Sequence, residues 1–297
     1  MPGVFICEEI EDLPIREIGG EESDISAESP IGVFDSGLGG LTVAREIMRN
    51  LPNERIVYFG DTARVPYGNK SKATIERYSR QIVRFLKTQD IKAVVVACNT
   101  ATALAIDEVR RTAGIPVIGV IEPGAKMAVK ATKNKRIGVI ATRATIQAGE
   151  YASVIRGLDP EIRVLGQACP MLVPLVEEGW IHDRITDEII LRYLDDLLEH
   201  GVDTLILGCT HYPLLRSEIR KLVGGGITLI NPAYETAIEL GQMLSEQGLR
   251  SQTMRSPEEP NPYRFFVSDD AGRFTDFANS ILPVDVKTAR VVPIEEY

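Results

Sequence analysis

From Ile31 almost to the C-terminus, short apolar runs alternate with amphipathic helical stretches, and this alternation limits the chain to few architectures. The runs fall at 31–34, 56–59, 93–97, 116–120, 137–141, 162–165, 204–207, 227–230 and 265–267. Several are continuous β-branched stretches, such as Val94-Val95-Val96, which suit strands buried on both faces of a parallel sheet. The clearest helix begins after Ser71 as N-cap, with Ile75, Tyr78, Ile82, Phe85 and Leu86 on one stripe. The pattern predicts an α/β fold of mostly parallel sheets covered by helices.

The alternation also repeats. IGVFDS from Ile31 is echoed by IGVIAT from Ile137. Each copy is followed, 67 and 72 residues on, by a run ending in cysteine: VVVACNT around Cys98 and LILGCTH around Cys209. Two similar halves related by a pseudo-twofold would turn these strand ends toward each other.

Charge and cysteine usage narrow the function. Residues 1–28 hold nine acidic residues and one base, Arg16, a sum of −8 out of the formal −9. A near-neutral body with an acidic extension has nothing to neutralise phosphates, so nucleic acid is not an expected partner. No apolar run is long enough to span a bilayer, and no basic segment followed by an apolar one marks a secretion signal. Four cysteines, Cys7, Cys98, Cys169 and Cys209, without a CxxC pair fit reduced thiols and a cytoplasmic location, with no metal site. The extension itself reads as a disordered or loosely docked solubilising segment, with a regulatory or oligomer-contacting role as the alternative.

In open α/β sheets, ligands bind beyond the carboxyl ends of the strands. Four such ends carry polar clusters: Asp35-Ser36-Gly37, Pro66-Tyr67-Gly68, Cys98-Asn99-Thr100 and Cys209-Thr210-His211. Gly37, Gly39 and Gly40 are expected to let the backbone approach a small ligand. The run Gly37-Leu38-Gly39-Gly40 lacks the third spaced glycine of a dinucleotide loop, and Asp61 lies too far along to be its ribose partner. Most cysteines are packing residues, and Cys7 and Cys169 fit that reading or that of a surface thiol. Cys98 and Cys209 differ, because each precedes amide, hydroxyl or imidazole groups and an expected helix start, which should lower the thiol pKa.

Two thiols in one site suit inversion of an amino-acid α-carbon, which needs a base on one face and an acid on the other. Asn99, Thr100, Thr210, Ser36 and backbone amides would stabilise the developing carbanion. Asp35 and His211 are candidates to tune the thiols; His182 and His200 read as surface residues. Glu177-Glu178 reads from the residues alone as a solvated helix end. A cysteine hydrolase using one thiol with His211, or a binding module, is the alternative these residues leave open.

The stretches IGVFDSGLGGLTV (31–43), GDTARVPYG (60–68), VVACNTATA (95–103), GVIEPGA (119–125), IGVIATRATI (137–146), LVPLVEEG (172–179) and LGCTHYPLL (207–215) resemble the glutamate racemases of the aspartate/glutamate racemase superfamily. FFVSDDAGRFTDFA (265–278) is similar to the family's closing strand and helix. The resemblance implies a first α/β domain from 31–118 and 232–297, a second from 119–231, an active site in the cleft between them, and residues 1–30 as an added extension. It implies that Cys98 and Cys209 exchange the α-proton with help from Asp35, His211 and Glu177, the last against the plain reading of that residue. Substrate contacts are implied for Asp35, Ser36, Tyr67, Gly68, Asn99, Thr100, Thr210 and His211. No cofactor is implied, the product D-glutamate feeds peptidoglycan synthesis, and the expected assembly is a homodimer. Some family members carry an extension linked to activation by a cell-wall precursor; residues 1–30 show no matching motif. Relatives acting on aspartate, a hydantoin or maleate share the two-cysteine logic.

Overall fold

A computed structural model describes residues 25–253 and 261–297. Cys7 and most of the acidic extension therefore lie outside the described residues. No helix among them is long and apolar enough to cross a membrane.

The first sheet is built from β1 (Ile31–Asp35), β2 (Ile56–Gly60), β3 (Ala93–Val96) and β4 (Val117–Gly119), in the order β2-β1-β3-β4, all parallel. The second is built from β5 (Arg136–Ala141), β6 (Arg163–Ala168), β7 (Thr204–Gly208) and β8 (Thr228–Ile230), in the order β6-β5-β7-β8, again parallel. The two orders are the same topology used twice, which is the fold-level form of the IGVFDS/IGVIAT echo. The first sheet is extended past β2 by β9 (Tyr263–Val267) and β10 (Arg290–Val291). Nine of the ten strands were expected. β10 is a two-residue, exposed edge strand and carries no apolar run to announce it.

Eleven helices among the described residues cover the sheets: α1 (Leu41–Asn50), α2 (Lys72–Lys87), α3 (Asn99–Ala113), α4 (Ile121–Ala131), α5 (Arg143–Ala148), α6 (Glu150–Leu158), α7 (Leu172–Glu177), α8 (Arg184–Glu199), α9 (Arg216–Val223), α10 (Pro232–Glu246) and α11 (Ala271–Ile281). Strand alternation divides the first core. Ile31, Val33, Tyr58 and Val95 pack toward α1, α10 and α11, while Phe34, Phe59, Val94 and Val96 pack toward α2 and α3. Burial on both faces explains why these runs lack polar alternation. Ser71 caps α2 by accepting the Thr74 N–H, and Ile75, Ile82, Phe85 and Leu86 are buried; Tyr78 is only partly so.

Leading into β1, residues 25–30 are fastened to the first half by a buried polar network. The Lys92 ammonium is fully buried, pairs with Glu54 and donates to the Ala27 carbonyl. The other Glu54 oxygen accepts the Ser251 N–H at 3.0 Å, and the Ser251 hydroxyl donates to Glu28. Glu54 holds Lys92 and Ser251, and these in turn hold Ala27 and Glu28, so the network ties the chain entering β1 to the starts of β2 and β3 and to the segment after α10.

Candidate active site

The strand ends of both halves converge on one cleft of about 600 Å³. From the first half come Ser36 and Gly37 after β1, Tyr67 and Gly68 after β2, and Cys98, Asn99 and Thr100 after β3. From the second come Thr142 and Arg143 after β5, Pro170, Val173 and Glu177 after β6, and Cys209, Thr210 and His211 after β7. Ten of the eleven singled-out residues line this space. The exception is Asp35, fully buried beneath the Ser36-Gly37 turn, where its Oδ2 accepts the Gly37 N–H at 3.0 Å. Asp35 therefore stands behind the wall of the cleft.

Cys98 is the N-cap of α3. Its sulfur accepts the Ala101 N–H at 3.5 Å and lies 3.6 Å from the Ser36 hydroxyl. The expectation of a lowered pKa is overturned here. Burial and the nearby Asp35 charge outweigh the favourable contacts from Ala101 and Ser36, and push the Cys98 thiol up to about 12. The same burial raises the Asp35 carboxyl against the pull of His211 and three backbone amides.

Cys209 has different company. It precedes a 3-10 turn, Tyr212–Leu215, rather than an α-helix. Its sulfur lies 3.9 Å from His211 Nδ1, and His211 Nε2 donates to Glu177 Oε1 at 2.9 Å. Burial disfavours the imidazolium, but the hydrogen bonds and charges of Cys209 and Glu177 prevail and raise His211 to about 10. Burial likewise works against the Glu177 carboxylate, and His211 and Arg273 overcome it, leaving its pKa lowered. Glu177 ends α7 and is not a free, solvated helix end; the plain residue reading could not see its two cationic partners.

Direct bonds sew the halves together around the cleft. Thr100 Oγ1 meets Thr142 Oγ1 at 2.9 Å and Thr145 Oγ1 at 3.2 Å. The Tyr151 hydroxyl donates to Asn99 Oδ1 at 2.7 Å, and Thr42 donates to the Thr210 carbonyl at 2.8 Å. Thr142 was not singled out from sequence, although it occupies the Ser36 position of the repeat. Among the described residues, no three His, Cys, Asp or Glu side chains are grouped to hold a metal ion.

The glycine expectation also changes. A Cβ on Gly39 would collide with Thr210 Oγ1 and the His211 ring, and one on Gly40 would meet Asp35 and lie 2.7 Å from the Tyr58 hydroxyl. These glycines admit protein atoms, not ligand; of the three, only Gly37 lines the cleft. Gly39→Ala is therefore expected to destabilise by about 1–3 kcal/mol and to displace His211 from Cys209. Thermal melts and turnover of the variant check both effects.

Fold and cleft together define an α/β protein made from a repeated unit, with thiol, imidazole, carboxylate and hydroxyl side chains gathered where the two copies meet. The Asp/Glu/Hydantoin racemase family model matches residues 31–239. Glutamate racemase from Neisseria meningitidis serogroup A is 48% identical over 260 residues, which span 87% of this chain and 94% of that protein. Among solved structures, a glutamate racemase isoform from Bacillus anthracis is similar at 42% identity and a TM-score of 0.85, covering 90% of this chain and 98% of that one. Glutamate racemase from Francisella tularensis, solved with D-glutamate, is similar at 39% identity and a TM-score of 0.84, covering 91% and 100%. The chain belongs to the Asp/Glu/Hydantoin racemase family, and within it to the glutamate racemases.

Proposed function

We propose that the protein interconverts L- and D-glutamate by a two-thiol mechanism without a cofactor. The observation that carries this reading is that corresponding strands, β3 and β7, each present a cysteine to one shared cleft. Cys98 and Cys209 act from opposite faces of the α-carbon. One thiolate takes the α-proton and becomes a thiol, while the opposite thiol gives its proton to the carbanion and becomes a thiolate. Reversing the direction reverses the roles.

The resting charge state supports this division. With its pKa pushed up to about 12, Cys98 is held as the thiol at neutral pH, ready to donate. A substrate ammonium beside it would oppose that shift and ease its ionisation. His211, backed by Glu177, handles the proton at Cys209, and Asp35 acts through Cys98. Ser36, Tyr67, Gly68, Asn99, Thr100 and Thr210 hold the two substrate carboxylates and the amino group with hydroxyl, amide and backbone donors and acceptors.

Purified protein given L- or D-glutamate without additives should bring either to the racemic mixture by circular dichroism, with solvent deuterium appearing at Cα in D2O. A much higher kcat/KM for aspartate or a hydantoin would replace the substrate assignment, and absence of α-hydrogen exchange would point to a hydrolase. We further infer a cytoplasmic homodimer that supplies D-glutamate for peptidoglycan. Light scattering tests the dimer, and D-glutamate dependence of cells depleted of the protein tests the supply role.

A further inference from the structure

The Glu177 carboxylate is shared between two cations from different halves of the molecule. Its Oε1 accepts from His211 Nε2 at 2.9 Å, and its Oε2 accepts from Arg273 Nη2 at 3.1 Å. His211 belongs to the second half, but Arg273 stands in the first turn of α11, which packs on the first sheet. That turn is well anchored. The Asp270 side chain caps α11 by accepting the Arg273 N–H at 3.1 Å, and Phe274, fully buried, stacks against Tyr58 with ring centroids 5.7 Å apart. One turn further on, the Phe277 ring lies 6.5 Å from the His211 ring. A helix anchored on the first half therefore meets both members of the Glu177–His211 pair.

We propose that Arg273 is a positioning residue, by which α11 of the first half fixes the Glu177 carboxylate and so holds His211 on the sulfur of Cys209. The inference rests on the racemase reading above and deepens it. A carboxylate bound through one oxygen alone can swing about its terminal torsion; bound through both, it presents Oε1 in one direction. The other groups facing this chain are Glu178, 3.8 Å from Arg273, Cys209 beyond His211, and the buried Asp35, whose charge reaches His211. A lost cation at position 273 leaves Glu177 with one positive partner, so it protonates more readily.

The test compares the full-length protein with Arg273→Gln and Arg273→Lys. Arg273→Gln should lower kcat/KM for glutamate about tenfold and move the acid limb of its pH profile to higher pH, whereas Arg273→Lys should retain most of both. In the ligand-free protein, the His211 Nε2 proton followed by NMR should exchange with solvent faster in Arg273→Gln than in the parent. An unmoved acid limb, or an unmoved exchange rate, overturns the proposal and leaves Arg273 a simple fastener that alters only the melting temperature. If the parent itself fails to turn over glutamate, the racemase reading falls, while the Nε2 exchange rate still decides the role of Arg273.

Discussion

Replacing either Cys98 or Cys209 by serine should lower glutamate racemisation by roughly 10²–10⁴-fold in both directions. A serine hydroxyl near neutral pH is neither a ready base nor a ready acid, so in the proposed scheme one face of the α-carbon loses its proton carrier. The fold should survive. Serine is nearly the same size, and at position 98 it is a good N-cap, so α3 keeps its start. Circular-dichroism assays from each enantiomer, paired with thermal melts, separate lost chemistry from lost structure. Near-normal turnover in either variant would end the two-thiol scheme, in which each sulfur serves one face.

The largest stability effect is expected far from the cleft, at Lys92→Met. The substitution leaves the Glu54 carboxylate buried with its cation gone, and breaking such a pair costs about 3–5 kcal/mol. It also frees the Ala27 carbonyl and so loosens the entry to β1. For a chain of this size the melting temperature should fall by roughly 10 °C. Replacing both partners, Lys92→Met with Glu54→Leu, should recover much of the loss, since no unpaired charge then remains. Chemical denaturation of the single and double variants measures the difference. A single variant as stable as the parent would mean that Glu54 is adequately held by Ser251 alone.

The repeated topology was legible because β-branched runs buried on both faces leave an unbroken apolar signature, and because IGVFDS and IGVIAT begin the same strand of each half. β10 escaped because two exposed residues at a sheet edge carry no such signature. In the cleft, chemistry at strand ends pointed to the cysteines and their immediate neighbours, which are local in sequence. What depended on partners distant in sequence was not legible. Burial in the enclosing core, and after it the carboxylate of Asp35, weigh on the Cys98 thiol more strongly than the helix start it caps. Glu177 gains its place from His211 and from Arg273, neither near it in the chain. Gly39 needs to be glycine because Thr210 and His211 arrive from the other half, a constraint that exists only once the two copies face each other. Thr142 was within reach of sequence reasoning, since it closes the IGVIAT copy where Ser36 closes IGVFDS.

The two cysteines stand at equivalent points of a duplicated unit yet have unlike neighbours: a buried carboxylate and a serine beside Cys98, an imidazole and its glutamate beside Cys209. Mirror-image substrates have identical free energies in water, so for a racemase the Haldane relation makes kcat/KM equal in the two directions whatever surrounds each sulfur. The inequality of the neighbours is then confined to how kcat and KM are partitioned. One enantiomer should saturate the protein at lower concentration and turn over proportionally more slowly than the other. In a cell, such a catalyst responds to the ratio of the enantiomers only through mass action, while under the two-thiol scheme the sensitivity of its speed to each pool separately follows from the unlike surroundings of its two sulfurs.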